Sequence, residues 1–235
     1  MNIRQNCESC NVLCKSLFSS LDKTDLLQLS LNKRCHFYKR GQAVFSAGSR
    51  PGGIYCIHQG KVKVFRTGEA GKEQILRFAL AGEFIGLRAF LKDMHYSANA
   101  VALEDSIICF INRQDFSFIL HKYPQITTRI VMILSQMLDD ADQKITSLAQ
   151  KPVRERLAET LVMLTRTFKP AGQTVINGYP VITLSREDLA NLIGTATETV
   201  IRLLSEFKHD GLITLNGRKI SILDLQRLRK IGNLI

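Results

Sequence analysis

Residues 184–222 constrain the fold more than any other part of this 235-residue chain. Ser185 is a favourable N-cap with Asp188 three residues later, and the apolar stripe that follows ends at Gly194. A second apolar stripe, at spacings of three and four, comprises Val200, Leu203, Leu204 and Phe207. The pattern therefore predicts two amphipathic helices joined by a glycine turn.

The segment after these helices is typical of a β-hairpin. Two apolar-rich runs, residues 212–215 and 218–222, flank the dipeptide Asn216-Gly217. Asn-Gly tolerates the positive φ angles of a type I′ turn, so both residues are expected in the turn itself. Two helices followed by such a hairpin predict a winged helix-turn-helix.

The outward face of the second helix carries side chains that can read bases. An Arg side chain donates to O6 and N7 of guanine and a carboxylate accepts from N4 of cytosine, which suits Arg202 and Glu198. The alternative is an ordinary surface ion pair, because these two residues are four apart. The predicted DNA contacts are Thr197, Glu198, Ile201 and Arg202 of this helix, Ser185 at the start of the first helix, and Arg218 and Lys219 of the wing.

The order of helix, glycine turn, helix and wing, together with residues 198–204 (Glu-Thr-Val-Ile-Arg-Leu-Leu), resembles the CRP/FNR family of bacterial transcription regulators. The resemblance implies that Glu198 accepts from cytosine and that Arg202 donates to guanine. Thr197 stands where some members carry a base-reading Arg. Ala196 stands where an N-cap Ser or Thr is usual, so the cap is expected to move to Thr195 and form a capping box with Glu198.

The charge of the chain is consistent with a nucleic-acid partner. Lys and Arg total 32 against 21 Asp and Glu, a formal net charge of +11, and a basic surface attracts phosphates of any sequence. No apolar run approaches the length of a membrane span, and no apolar leader follows the N-terminal Met. We therefore expect a cytoplasmic protein with reduced thiols and no contact with a membrane.

A long helix is predicted between Pro124 and Pro152, with apolar residues spaced by three and four as in a coiled-coil seam. At 1.5 Å per residue it would extend roughly 40 Å, more than one small domain covers. Pairing with a second copy is the expected solution, and packing on its own domain is the alternative. A two-fold dimer predicts a palindromic DNA site. The predicted interface residues are Ile130, Ile133, Met137, Ala141 and Ile145.

Nine of the fifteen glycines lie between Gly41 and Gly86, a density that predicts short strands and tight turns in a β-roll or barrel. Residues 41–45, 53–60 and 82–86 resemble the cyclic-nucleotide-binding fold of the same family. The predicted fold class is α+β. Its predicted parts are an N-terminal cysteine cluster with a helical segment (1–35), a β-roll sensor domain (36–122), a dimerisation helix (123–151) and a winged helix-turn-helix domain (152–235).

The chain departs from the family where a cyclic nucleotide would be held. The resemblance implies a Glu after Gly86 for the ribose hydroxyl and an Arg before Ser97 for the cyclic phosphate. Leu87 and Tyr96 occupy those positions, so cyclic AMP is not expected as a ligand. Arg88 could replace the missing cation only if this loop were rearranged.

Six cysteines supply the best indication of what is sensed. Cys7, Cys10 and Cys14 have the spacing C-x2-C-x3-C, and a cubane cluster needs a fourth thiolate from elsewhere, for which Cys109 is the candidate. The arrangement resembles the oxygen-sensing FNR branch, which has a distant cysteine in a segment like residues 102–109. The resemblance implies a [4Fe-4S] cluster on these four cysteines, although that branch usually has a longer gap before its third cysteine.

Other interpretations of the cysteines stay open. The same four thiols could form a zinc site or a thiol switch, or hold no metal. Cys35 and Cys56 lie in apolar, strand-like patterns and are predicted to be small buried hydrophobic residues. Haem ligation by a single histidine is a weaker alternative, since no paired metal spacing occurs among His36, His58, His95 and His121.

These observations predict a dimeric, sequence-specific transcription regulator controlled by a cluster that responds to oxygen or nitric oxide, with RNA polymerase as a further partner. One alternative is a regulator of the same fold that answers haem, nitric oxide or a small metabolite without a cluster. The other is a thiol-redox enzyme, but Cys7 and Cys10 lack the βαβ context of a thioredoxin-like site. The chain carries no nucleophile elbow, P-loop or paired-histidine motif, so no enzymatic activity is expected.

Overall fold

The structure is a computed structural model that describes residues 2–3, 6–168, 175–176 and 178–234. The chain divides into two compact units, Met1–Asp139 and Asp140–Ile235. The boundary falls inside the longest helix, so each unit contains a part of it.

The first unit is a β-roll flanked by helices. Its strands are β1 (Asn2–Ile3), β2 (Arg34–Tyr38), β3 (Ala43–Phe45), β4 (Gly53–Gln59), β5 (Lys61–Thr67), β6 (Glu73–Leu80), β7 (Phe84–Ile85), β8 (Asn99–Ala102) and β9 (Ser106–Asn112). Its helices are α1 (Lys23–Asn32), α2 (Leu87–Lys92), α3 (Arg113–Lys122) and the first part of α4 (Pro124–Gln150), with short 3-10 turns at Leu13–Lys15 and Leu17–Ser20.

Two antiparallel sheets form the roll. One has the strand order β1-β2-β9-β4-β7 and the other the order β3-β8-β5-β6. Apolar side chains from both sheets, among them Ile57, Val62 and Ile108, fill the space between them. In β8 buried residues alternate with partly exposed ones, the period-two pattern of a strand with one face in the core. The predicted β-roll is therefore confirmed.

The N-terminal segment packs against the roll through Phe18, whose ring meets Phe84 edge-on with centroids 5.1 Å apart. Asp22 caps α1, since its carboxylate accepts from the amide of Asp25 at 2.8 Å. Asp25 in turn accepts from the Tyr123 hydroxyl and lies 2.7 Å from the Lys122 ammonium. These contacts hold α1 against the end of α3 and so position the cysteine segment that precedes α1.

The second unit contains the rest of α4 and a compact helical domain with a small sheet. Its further elements are α5 (Val153–Thr167), β10 (Val175–Ile176), β11 (Tyr179–Pro180), β12 (Ile182–Thr183), α6 (Arg186–Ile193), α7 (Thr197–His209), β13 (Ile213–Asn216), β14 (Lys219–Ile222) and α8 (Leu225–Ile231). The strands β12-β14-β13 form one antiparallel sheet, and β10 pairs with β11. This unit confirms the predicted winged helix-turn-helix.

The residues that α4 exposes are not all those predicted for the dimer interface. Ile130, predicted at the interface, is 3% exposed and lies with Ile126 in the core of the first unit. Val131, Leu138 and Ile145 are exposed instead, the last two by 63% and 64%, and they follow one another at seven-residue intervals. The prediction for Ile130 is therefore wrong, because the helix uses that position to cover its own domain.

The remaining predicted interface residues are at least partly accessible in the isolated chain. Ile133, Ala141 and Ile145 are exposed, and Met137 is half-buried. Among the described residues, no helix combines the length and the apolar character that a membrane crossing requires.

Candidate DNA interface and cysteine site

Ser185 caps α6 with its own side chain. Its hydroxyl accepts from the amide of Asp188 at 2.9 Å and donates to the carboxylate of Asp188 at 2.6 Å. Gly194 adopts the left-handed conformation, φ 69°, and ends the helix as the sequence predicted. The structure therefore gives Ser185 a role in shaping α6, while its contact with DNA stays a prediction.

Helix α7 begins without a side-chain cap. Its N-cap is Ala196, and the amide of Thr195 donates instead to the carbonyl of Ala190 at 3.1 Å, closing the turn at the end of α6. The predicted shift of the cap to Thr195, with a capping box to Glu198, is therefore wrong. Glu198 is exposed at the start of the helix, where a base edge could be reached.

The two faces of α7 divide as the periodicity predicted. Its buried residues are Val200, Leu203, Leu204 and Phe207. Arg202 projects outward with 66% of its side chain exposed and donates to Glu206 at 2.6 Å, not to Glu198. The alternative ion pair between Glu198 and Arg202 is therefore absent from this structure, and both side chains lie on the outward face with Ile201.

Arg154 of α5 supports this helix from its other side. Its guanidinium lies 2.8 Å from Glu206, 2.8 Å from Asp210 and 4.8 Å from the ring centre of Phe207. Glu206 thus binds Arg154 and Arg202 together. Since the pair with Arg202 is exposed, its loss on DNA binding would cost only about 0 to 1 kcal/mol.

The wing turns one residue later than predicted. Asn216 lies opposite Lys219 in the register of β13 and β14, so Gly217 and Arg218 form the two-residue turn. Gly217 has φ +56°, whereas Asn216 does not have a positive φ, which excludes a type I′ turn at Asn216-Gly217. Arg186 of α6 donates to the carbonyl of Gly217 at 2.9 Å and fixes this turn, with Arg218 and Lys219 exposed beside it.

The cysteines of the first unit converge on one small cavity. Cys7 and Cys10, in the segment before α1, line it together with Cys56 of β4 and Cys109 of β9. The cavity has a volume of ≈ 30 Å³ and an apolar wall that includes Phe18, Leu29 and Ile111. The side chain of Cys14 lies outside the described residues. The structure thus brings together three of the four predicted ligands.

Basic side chains lie next to two of these thiols. Lys33 donates to Cys7 Sγ at 2.9 Å, and Nδ1 of His58 lies 3.3 Å from Cys10 Sγ. Burial, followed by the charge of Lys33, lowers the pKa of His58, so its imidazole is neutral at pH 7. Burial, followed by the neighbouring Cys10, raises the pKa of Cys56 to about 12, which keeps this thiol protonated.

Cys109 departs from the prediction in one respect. It forms a disulfide with Cys35, because β2 and β9 pair with these two residues directly opposite each other. The expectation of a free Cys109 thiolate, and of Cys35 as a merely hydrophobic residue, is therefore wrong for this state of the chain. Among the described residues, no three His, Cys, Asp or Glu side chains are close enough to hold a single metal ion.

Comparisons with known proteins agree with this architecture. A family model described as the cyclic nucleotide-binding domain matches residues 35–123, and one described as the Crp-like helix-turn-helix domain matches residues 155–231. The transcriptional activator protein anr of Pseudomonas aeruginosa is 30% identical over 93% of this chain and 89% of its own length. The chain belongs to the CRP/FNR family. The fumarate and nitrate reduction regulatory protein of Vibrio cholerae is likewise 30% identical, over 97% of this chain and 90% of its own.

Solved structures show the same fold. FixK2 from Bradyrhizobium japonicum has a TM-score of 0.74 at 23% identity and covers 85% of this chain and 96% of its own. A CooA mutant from Carboxydothermus hydrogenoformans has a TM-score of 0.68 at 25% identity, covering 86% and 88%. This member of the CRP/FNR family is thus a DNA-binding transcription regulator, as predicted, and not an enzyme.

Tyr96 and Leu87 hold the two positions that the family resemblance assigns to cyclic-nucleotide binding, and both are buried in this CRP/FNR regulator. Tyr96 is buried inside the roll and stacks on Phe45 with ring centres 3.9 Å apart. Gly86 has φ +86°, and a Cβ atom there would lie 3.2 Å from the Tyr96 ring, so both the backbone conformation and the close contact favour glycine. Leu87 is also buried, and Arg88 is exposed.

Cys56 and His58 are the site residues that the sequence interpretation missed. Both line the cavity, and they are two residues apart on β4, a spacing that places side chains on the same face of a regular strand. The C-x-H pattern inside an apolar strand was therefore the signal that could have found them. The pairing of Cys35 with Cys109 had no comparable local signal, because it depends on the register of strands distant in sequence.

Proposed function

We propose that this regulator is a homodimer that binds a palindromic operator and is controlled by a [4Fe-4S] cluster responding to oxygen or nitric oxide. The observation that carries the proposal is the convergence of Cys7, Cys10 and Cys109 on one cavity, although they come from distant parts of the first unit. Cys14, the fourth thiol of the set, belongs to the same N-terminal segment. The two relatives at 30% identity are a transcriptional activator and a fumarate and nitrate reduction regulatory protein, which supports a regulator of the FNR branch.

The donor set of this chain fits such a cluster once Cys109 is reduced. A cubane takes four thiolates, and Cys7, Cys10, Cys14 and Cys109 supply four. A cubane also spreads its ligands wider than a single ion does, so it does not require three donors around one point. When bound, the cluster supplies iron and sulfide that react with oxygen or nitric oxide.

The surrounding residues orient the thiols and shield them from water. Lys33 donates to Cys7 Sγ, and the neutral His58 lies at hydrogen-bond distance from Cys10 Sγ. Hydrogen bonds and charges around ligand sulfurs fix their orientation and tune the site. Phe18 and Ile111 form an apolar wall that limits solvent access.

The first unit also offers a route from the cysteine segment to the long helix. Ser19, a few residues after Cys14, accepts from the Arg129 guanidinium of α4 at 2.6 Å. Cys109 lies on β9, which leads directly into α3 and then into α4. A cluster that ties the N-terminal segment to β9 would therefore restrain the start of α4 from two sides.

Dimerisation is proposed along α4. Val131, Leu138 and Ile145 form an exposed apolar stripe at heptad spacing, which a second copy of the helix would cover. Of the residues predicted from the sequence, Ile133, Met137, Ala141 and Ile145 stay candidates for this interface. Two copies related by a two-fold axis would present their two α7 helices, which carry the proposed base contacts, to the two halves of a palindrome.

The proposed operator contacts follow the exposed face of α7. Arg202 would leave Glu206 and donate to guanine, while Glu198 would accept from cytosine. Ile201 offers an apolar contact for a thymine methyl group, and Thr197 lies at the N-terminal end of the helix. Ser185, Arg218 and Lys219 would contact the phosphate backbone from α6 and the wing. RNA polymerase is the further partner, in the cytoplasm.

We infer that cyclic AMP is not the signal. The buried Tyr96 and Leu87 stand where a phosphate-binding Arg and a ribose-binding Glu would be required, and neither can replace those charges.

Anaerobic purification followed by iron and sulfide analysis tests the proposal. We expect a coloured protein with four irons and four sulfides per chain for a [4Fe-4S] cluster, which loses operator affinity on exposure to air. An iron-free protein that binds its operator equally before and after air exposure would refute it. Operator binding that depends on thiol reduction but not on iron would instead indicate a thiol switch.

A further inference from the structure

Three cysteines lie side by side on neighbouring strands of one sheet. Cys35 of β2 is opposite Cys109 of β9, and Cys109 is opposite Cys56 of β4. Residues directly opposite each other in antiparallel strands project to the same face. The three side chains therefore lie on one face of the sheet, where Cys56 and Cys109 line the cavity with Cys7 and Cys10, and Cys35 lies beside Cys109.

We propose that Cys35 is a redox partner of Cys109 that withdraws it from cluster binding. A sulfur bonded in a disulfide cannot act as the thiolate ligand that iron requires, so the two states of Cys109 exclude each other. The disulfide would keep an oxidised chain from rebuilding its cluster until a dithiol reductant opens the bond. This inference rests on the cluster proposed above.

The disulfide between Cys35 and Cys109 is not what pairs β2 with β9. Strands β2 and β9 are already paired over five residues, from Arg34 opposite Phe110 to Tyr38 opposite Ser106. Cys35 and Cys109 are only 1% and 4% exposed, so the bond is screened from large reductants by the protein around it. The disulfide is buried and includes Cys109, a proposed cluster ligand. It can therefore keep the chain in an oxidised, cluster-free state.

The oxidation is balanced with hydrogen peroxide as the two-electron oxidant. The thiolate of Cys109 attacks one peroxide oxygen, the O–O bond breaks, and hydroxide leaves and takes up the proton lost by that thiol. The thiolate of Cys35 then attacks the Cys109 sulfur, the S–O bond breaks, and a second hydroxide leaves and takes up the second thiol proton. The products are one disulfide and two water molecules. A small oxidant is required, because Cys35 and Cys109 are almost completely buried and Cys109 lines a cavity of only ≈ 30 Å³.

The test uses the full-length chain and the variants Cys35→Ser, Cys35→Ala and Cys56→Ser. Reduced, metal-free proteins are treated with hydrogen peroxide, free thiols are alkylated, and non-reduced peptides are analysed by mass spectrometry. We expect a crosslink between Cys35 and Cys109 in the native chain and in Cys56→Ser, and none in either Cys35 variant. Cys56→Ser is the matched control, since it removes the thiol on the other side of Cys109.

A second measurement follows cluster rebuilding from iron and sulfide by absorbance, with excess monothiol as the only reductant. In the Cys35 variants peroxide leaves Cys109 as a sulfenic acid, which two monothiols reduce to the thiol with release of water and a monothiol disulfide. After peroxide treatment, both Cys35 variants should therefore rebuild several-fold faster than the native chain, whose buried disulfide persists, and a dithiol should remove the difference. A crosslink from Cys109 to Cys56, no crosslink at all, or equal rebuilding rates would overturn the inference. A fully reduced native chain that takes up no iron would instead refute the proposed cluster, whatever the crosslink shows. Circular dichroism identifies a variant that fails to fold, and the other Cys35 variant then decides.

Discussion

Replacing Arg202 by Ala tests the proposed reading of DNA most directly. Arg202 is exposed on the outward face of α7 and contacts no buried group, so its removal should leave the fold intact. In the free protein the side chain pairs with Glu206, an exposed ion pair worth about 0 to 1 kcal/mol. The substitution should therefore change the unfolding free energy by less than about 1 kcal/mol.

Its effect on DNA binding should be larger. A bidentate contact between Arg and guanine contributes about 1 to 3 kcal/mol of discrimination against a wrong base. Breaking the ion pair between Arg202 and Glu206 offsets at most a small part of this free energy. We expect the affinity of Arg202→Ala for the cognate operator to fall by about 1 to 3 kcal/mol per half-site, with far less change on random DNA.

Fluorescence anisotropy on the cognate operator and on a random duplex, at one fixed salt concentration, measures both quantities. Arg202→Lys is the matched control, because it keeps the charge and loses the planar pair of donors. Equal losses on both duplexes for Arg202→Ala, or full specificity in Arg202→Lys, would mean that Arg202 contacts only phosphate. Either result would refute the base-reading role.

Further predictions concern the dimer helix and the cysteine site. Leu138→Asp should shift sedimentation from dimer to monomer, because it places a charge in the exposed apolar stripe, whereas Gln143→Asp, on the opposite side of α4, should not. An unchanged dimer in Leu138→Asp would contradict the proposed interface. Lys33→Met should shorten the lifetime of the cluster colour in air, since a donor to Cys7 Sγ is lost, and exposed Lys23→Met serves as control. Equal lifetimes for the two variants would remove Lys33 from the site. Because the pKa of His58 is lowered by burial, the unfolded chain binds more protons than the folded one as the pH falls below about 6.5, so this group lowers the free energy of unfolding below that pH and not above it. Urea unfolding of the reduced, metal-free chain between pH 7.5 and 5.5 should show a weaker loss in His58→Gln than in the native chain, and the same slope in both would refute this role.

The features that could be predicted from the sequence are those set by local periodicity. The spacing of Val200, Leu203, Leu204 and Phe207 specifies which face of α7 is buried, and Gly194 specifies where α6 ends. In these elements each residue's environment depends mostly on neighbours three or four positions away. Both helices and the outward position of Arg202 are therefore found in the structure as the sequence predicts.

The errors arise where one local signal is compatible with two structures. Gly217 needs a positive φ in either hairpin, but the pairing of Asn216 with Lys219 decides which residues form the turn. Helix α4 presents apolar residues toward its own domain and toward solvent, so Ile130 and Val131 belong to different faces although they are adjacent. Such choices depend on contacts between distant segments.

The cysteine site could be predicted only in part for the same reason. The grouping of Cys7, Cys10 and Cys14 is visible in the chain itself. The positions of Cys35 and Cys56 on either side of Cys109 depend on the register of three strands that are not consecutive in sequence.

The aromatic packing of Tyr96 on Phe45 changes what the β-roll can do. A roll with a space for a ligand can exist in empty and filled forms, and its flexibility then depends on the ligand. Where the rings of Tyr96 and Phe45 stack, the roll is filled by its own side chains, and close-packed interiors resist compression. A displacement at the edge of the roll should then be transmitted through this packed region, because little local rearrangement is available to absorb it. We therefore expect the roll to transmit movement and not to enclose a ligand.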